Sequence, residues 1–180
     1  MPAQAKAKAS RPNADLTVSR PQLIVNGNDE QFRHFVHDTL AFAMRIQEIR
    51  NRFGEYIGLT GTQYTMLIAI AKDERAGELG INQVAEGTHF SPPFVTIEVN
   101  RLVALKLVAK TTNPADRRRV RLSVTAKGHE LLNRLKSIQA PVNDELFSTL
   151  SRDDFQFLRK KVEELVVSAD RALKLLDFLK

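Results

Sequence analysis

The residues best placed to do chemistry in this chain are cations. Arg117, Arg118, Arg119 and Arg121 crowd behind Asp116 on a segment that opens with Asn113 and Pro114. Between Asn100 and Gly128 eight Lys or Arg stand against the single acid Asp116, a local charge of about +7. The whole chain of 180 residues carries +6, so everything outside this stretch sums to about −1. Like charges at that spacing repel, and a tight turn is too small to bury them. The arrangement therefore asks for an anionic partner, and a phosphate backbone fits it.

Turnover chemistry finds no comparable support. The chain has no cysteine, which excludes disulfides, thiolate nucleophiles, Cys-ligated zinc and thiol redox sensing. It holds no Gly-rich phosphate loop and no nucleophile-base constellation, so no catalytic residue is assigned, no cofactor is implied and the protein is not read as an enzyme. His34 and His37 lie at i, i+3 with Asp38 adjacent, and His129 with Glu130 offers the other close pair. Half-sites of this kind are usually helix-surface histidines, and no metal is assigned.

The elements that must hold the cations follow from periodicity. Residues 91–104 read as a helix: Ser91 at the cap, Pro92 at the first helical position, and Val95, Val99 and Leu102 recurring at i, i+4, i+7. A strand over 107–111, a charged turn over 113–119 and a strand over 120–124 come next, with Val120, Leu122 and Val124 alternating with Arg121 and Ser123. Before them, a short helix over 81–88 turns Val84 and Ala85 inward, and Thr60 with Gln63 makes a capping box for a helix bearing Tyr64, Leu67, Ile68 and Ala71 on one face. Two short helices joined by a tight turn and followed by a hairpin form a winged helix-turn-helix. The helix over 91–104 leaves Thr96 and Asn100 opposite its apolar face, as a groove-reading helix requires.

Two longer helices flank this centre. One carries a seam at 32, 35, 39, 42, 46, 49 and 53, with only Thr39 polar, Asp29 at its cap and Gly54 and Gly58 around its exit. The last helix begins at Ser151 and repeats apolar or small residues at 155, 158, 162, 165, 169, 172, 176 and 179, a seam that wants another helix beside it. Between them, Thr125 caps a helix carrying Leu131, Leu135 and Ile138, which Pro141 is expected to bend or interrupt. No window supplies the roughly 18 uncharged apolar residues of a membrane span, and the N-terminus lacks an apolar signal core, so a cytoplasmic protein without a membrane partner is expected.

The residues Leu59, Thr60, Gln63, Tyr64, Leu67, Val84, Ala85, Ser91, Val95, Thr96, Val99, Arg101 and Leu102, then Asn113 to Arg118, Val120, Leu122, Thr125 and Gly128, resemble the MarR family of winged-helix transcriptional regulators. The resemblance covers about 32–180. It implies an obligate homodimer with interleaved terminal helices, seated on a pseudo-palindromic DNA operator with one recognition helix per major-groove half-site. It also implies that Asp116 holds Arg118, which enters the minor groove. In a number of relatives an aromatic carboxylate binds between the first two helices, which points to Phe35, Phe42, Arg45 and Tyr64 as an effector pocket. Ile97 and Phe94 depart from the pattern, standing where relatives often have Arg and Ser or Thr. Lys106 replaces the usual Gly after the recognition helix, so a different cap is expected there.

The expected fold is mainly α, a winged helix-turn-helix with a β-hairpin wing flanked by N- and C-terminal dimerisation helices. The expected domains are a flexible basic arm over 1–30, a dimerisation helix over 31–54, the DNA-binding domain over 55–126 and C-terminal dimerisation helices over 127–180. Ser91, Pro93, Thr96, Asn100, Arg101, Asp116, Arg117, Arg118 and Arg119 are the expected DNA contacts. The expected function is a ligand-responsive repressor answering a small aromatic effector, the alternative being an architectural, nucleoid-type DNA binder without operator specificity.

Overall fold

The computed structural model describes residues 16–73, 79–112 and 120–180. In chain order the elements are α1 (Glu30–Tyr56), α2 (Gly61–Asp73), α3 (Ile81–Thr88), α4 (Pro92–Ala104), β1 (Val108–Thr112), β2 (Val120–Val124), α5 (Ala126–Leu146) and α6 (Arg152–Leu179). β1 and β2 pair antiparallel with Val108 opposite Val124, Lys110 opposite Leu122 and Thr112 opposite Val120. The fold is mainly helical with one small hairpin, as the periodicities indicate.

The helix ends are set by local chemistry. Gly58 takes φ +75°, the Leu59 N–H reaches the Gly54 carbonyl at 2.9 Å and the Gly58 N–H reaches that of Glu55 at 3.0 Å. This is the paired bonding of a Schellman cap, and it turns Leu59 into the core behind α1. Thr60 and Gln63 then exchange the two bonds of the capping box, each at 3.1 Å, and launch α2. α2 is buried more completely than a single apolar face predicts: Tyr64, Met66, Leu67 and Ile70 are all sealed, and Ile68 and Ala71 pack at the edge. The reason is position, since α1, α3, α4 and β2 all pack around it.

α5 adds Leu135 to the same core, with Leu131, Ile138 and Val142 packed against it. The core therefore runs beyond 126, and the start of α5 belongs to the winged unit. α5 also continues through Pro141 without interruption. Pro141 removes one backbone bond, but contacts on both sides of it, at Ile138 and Val142, hold the helix against the core.

The basic arm has more structure than its composition promises. From Thr17 onward it is hydrogen-bonded: Val25 and Asn28 exchange backbone bonds of 3.0 and 3.1 Å around Asn26 and Gly27, both at positive φ. That is a two-residue Asn-Gly hairpin turn, inside the segment expected to be a flexible arm. Asp29 precedes α1 but makes no side-chain cap bond. Its buried carboxylate instead accepts from the Thr17 N–H and hydroxyl, both at 2.7 Å, and from Arg33. The Thr17 bonds, backbone first, and Arg33 hold its pKa down at about 2. Residues 1–15 of the expected arm lie outside the described residues.

α6 contrasts with everything before it. Ser151 and Asp154 form a capping box at its start, with Asp154 accepting from the Ser151 N–H at 3.1 Å and Ser151 Oγ accepting from the Asp154 N–H at 3.2 Å. No residue of α6 is buried. Among the described residues no helix is long and apolar enough to cross a membrane.

Candidate nucleic-acid interface

The interface is built outward from the buried side of α4. Val95, Val99 and Leu102 have no exposed surface, so the rotation of α4 about its axis is determined by the core. The other side then presents Pro93, Phe94, Ile97, Asn100, Arg101 and Ala104, all exposed. At 3.6 residues per turn Ile97 falls in the middle of that face, with Phe94 and Arg101 on one flank and Pro93 and Asn100 on the other. Thr96 sits at the margin, half-buried, and its hydroxyl donates to the Pro92 carbonyl at 2.9 Å. Ser91 occupies the cap position in extended conformation but makes no side-chain cap bond.

The far end of α4 is clamped by the start of α5. Leu107 N–H reaches the Leu102 carbonyl and Lys106 N–H that of Val103, both at 2.9 Å. This is the same Schellman cap as on α1, formed with Lys106 at φ +61° where glycine is at home. The expectation of a different cap at Lys106 is thus corrected: the geometry is kept although a side chain is present. Hydrogen bonds from the start of α5 hold it. The Lys106 carbonyl accepts from Thr125 Oγ1 at 2.7 Å, the Leu107 carbonyl from the Thr125 N–H at 3.0 Å, and the Leu105 carbonyl from Lys127 Nζ at 3.0 Å. Gly128 lies so close that a Cβ there would stand 2.4 Å from the Leu107 carbonyl oxygen.

The hairpin is seated by Val108, Leu122 and Val124, all buried, and by a bond of 2.8 Å from the Leu122 N–H to the Leu79 carbonyl. Arg121 stays exposed on β2. Lys110 on β1 reaches the Asn100 amide oxygen at 3.4 Å, which ties the exposed side of α4 to the hairpin. The tip, with Asp116, Arg117, Arg118 and Arg119, lies outside the described residues.

One buried acid of α4 is not legible from periodicity. Glu98 is only 4% exposed; its Oε1 accepts from Arg101 Nη1 at 2.6 Å, and its Oε2 finds no hydrogen-bond partner among the described residues. The Arg101 side chain is 61% exposed, so Glu98 steers a cation whose remaining N–H groups point outward. A lone acid between Ile97 and Val99 gives no hint in sequence that it is buried.

The four expected effector residues occupy different settings. Phe35 is exposed and Arg45 donates to the Ala41 carbonyl of its own helix at 2.9 Å. Ten residues separate the two on α1, about 15 Å along the axis. Phe42 meets Phe147 edge-on at 6.0 Å. Tyr64 is a core residue: Arg50, not Arg45, lies over its ring at 5.2 Å, and its hydroxyl accepts from Gln139 at 3.0 Å. Burial pushes the Tyr64 hydroxyl up in pKa, with Arg50 opposing. His34 borders a shallow depression of about 500 Å³ with Asn28, Glu30 and Arg33. Among the described residues no group of three or more His, Cys, Asp or Glu could hold a metal ion.

Comparison with known proteins places this geometry. A sequence profile described as MarR family matches residues 57–119. The HTH-type transcriptional repressor MdtR of Bacillus subtilis (strain 168) is 30% identical over 105 residues, spanning 56% of this chain and 68% of that protein. The HTH-type transcriptional regulator SarZ of Staphylococcus epidermidis is 27% identical over 128 residues, spanning 69% and 83%. Among solved structures, a mutant MarR from E. coli complexed with operator DNA aligns over 76% of this chain and 94% of its own, with TM-score 0.60 and 17% identity. A MepR–DNA complex from S. aureus aligns over 83% and 99%, with TM-score 0.59 and 18% identity. At those identities the two structures establish a shared fold.

Proposed function

Because the chain belongs to the MarR family of transcriptional regulators, we propose that it is a homodimeric, ligand-responsive repressor that reads a pseudo-palindromic DNA operator. Each protomer lays α4 in a major groove and its basic hairpin along the neighbouring minor groove. The observation that carries the reading is the exposed face of α4, held in rotation by Val95, Val99 and Leu102 and tied by Asn100 to Lys110 of the basic hairpin. Phosphates supply affinity to such a surface, and base edges along α4 supply discrimination. Arg118, steered by Asp116, is assigned the narrow and strongly negative minor groove. The apolar faces of α1 and α6, left open in one chain, support the homodimer in this reading.

Binding isotherms over a salt series, on operator and on random DNA, test it. Arg118→Ala lowers both affinities together and flattens the salt slope by about one phosphate per subunit. Asn100→Ala narrows the gap between the two DNAs by about 1–3 kcal/mol for a lost base contact, with the slope nearly unchanged. If Arg118→Ala leaves both affinities intact, the hairpin is not a DNA contact. An operator-to-random ratio near one assigns the protein to the architectural class instead. Effector control is assigned to the α1 face bearing Phe42 and Arg45. Release of DNA by a small aromatic acid, lost in Arg45→Ala, supports that assignment.

A further inference from the structure

The centre of the groove-facing surface is apolar, and each polar group around it has one partner within the protein. The Thr96 hydroxyl donates to Pro92, Asn100 accepts from Lys110, and Arg101 is held by Glu98. Ile97, between them, is 52% exposed. Beside it the exposed Phe94 ring rests against Phe90 at a centroid distance of 5.1 Å and a tilt of 47°, which braces it in place without burying it. An apolar pair on the surface of a helix otherwise bordered by cations needs a partner that is anionic at its edges and apolar at its middle. In the major groove of DNA that partner is the thymine C5-methyl group, the one apolar feature a base pair shows there.

We propose that Ile97, flanked by Phe94, reads thymine C5-methyl groups and makes the operator half-site of this protein thymine-dependent. The proposal rests on the DNA-binding reading above and extends it from binding to the identity of the bases. Discrimination arises because a thymine methyl group set against Ile97 leaves water, whereas a cytosine at the same place has no methyl group and gives up that burial. The branched side chain of Ile97 is stiff at χ1, so the contact is directional.

The test uses the full chain to select its site from a pool of randomised duplexes. Each thymine of the enriched half-site is then replaced by uracil, which deletes only the C5-methyl group. The expected result is a loss of affinity of about three- to fivefold per contacted methyl, the worth of one buried methyl group, at one or two thymines per half-site. In Ile97→Ala or Phe94→Ala the loss at the matching thymine disappears, whereas Ile97→Val retains most of it. Specific binding that tolerates uracil at every position overturns the proposal and leaves the regulator reading in place. A uracil effect of equal size in both alanine variants overturns it as well, because other side chains then read the methyl groups. Failure to enrich any sequence over random DNA overturns the proposal together with the sequence-specific reading beneath it.

Discussion

The winged unit and the terminal helices differ in how far one chain can complete them. From Phe53 to Leu135 the chain builds a sealed core, with α2 enclosed by its neighbours and the C-terminal end of α4 fastened by hydrogen bonds to Thr125 and Lys127. α6 buries nothing along Arg152–Leu179, although Phe155, Val162, Leu165, Val166, Leu173 and Leu176 are all apolar and exposed. The first half of α1 resembles α6, with Phe35, Leu40 and Met44 exposed, whereas its second half, through Phe53, joins the core. A helix that is stable only when its apolar stripe is covered has to find that cover, and these two stripes face the same need. The surface proposed to read DNA thus comes from within one chain, and the open stripes of the terminal helices are what a second copy is proposed to cover.

The largest expected effect breaks the second region alone. Leu165→Asp combined with Leu176→Asp places charges on the α6 stripe, and light scattering should then give a mass near 20.3 kDa per particle in place of twice that value. Operator affinity is lost with it, because two half-sites no longer bind as one unit. A double variant that stays dimeric would move the dimer contact away from α6.

A smaller effect breaks the first region where α5 meets the end of α4. Gly128→Ala forces a Cβ against the Leu107 carbonyl and should lower stability by about 1–3 kcal/mol in denaturant melts, with DNA affinity falling as the end of α4 shifts. The dimer mass should be unchanged. Glu98→Met sharpens the comparison in the opposite direction. It removes a buried carboxylate oxygen that has no partner among the described residues and replaces it with an apolar chain, and Arg101 regains water because it is largely exposed. We expect a gain of about 1 kcal/mol in stability, accompanied by weaker discrimination between operator and random DNA.

The smallest effect is local to the strap over 16–29. The Asp29 carboxyl, normally near 3.8, is depressed to about 2, so the folded strap binds that proton less readily than the unfolded one. The strap's stabilisation is therefore complete above about pH 4 and fades as pH falls towards 2. Hydrogen exchange at the Thr17 amide should show protection that declines across that window, and Asp29→Asn should abolish the pH dependence while leaving operator binding at neutral pH unchanged.

Much of this was readable in the order of residues. The capping box of Thr60 and Gln63, the inward stripe of Val95, Val99 and Leu102, and the alternation of Val120, Leu122 and Val124 are local signals, decided by neighbours three, four or two positions apart. Charge is local too, which is why the basic hairpin stood out before any fold was known. The apolar seams of α1 and α6 were legible for the same reason, since a seam repeats within its own helix.

Tertiary structure decided the rest, because those outcomes depend on residues far apart in the chain. Asp29 stands at the cap position of α1, but its carboxylate bonds to Thr17, twelve residues away, and to Arg33. Tyr64 could line a pocket or fill a core by its type alone; Phe53, Arg50 and Gln139 converge on it and make it core. Lys106 keeps a left-handed backbone because Thr125 and Lys127, about twenty residues on, hold the carbonyls around it. Glu98 lies on the inner side of α4, where only the packing of neighbouring elements determines that one carboxylate oxygen reaches Arg101 and the other reaches nothing among the described residues. Periodicity assigns a face to a side chain, and what that face meets is determined only when the other elements arrive.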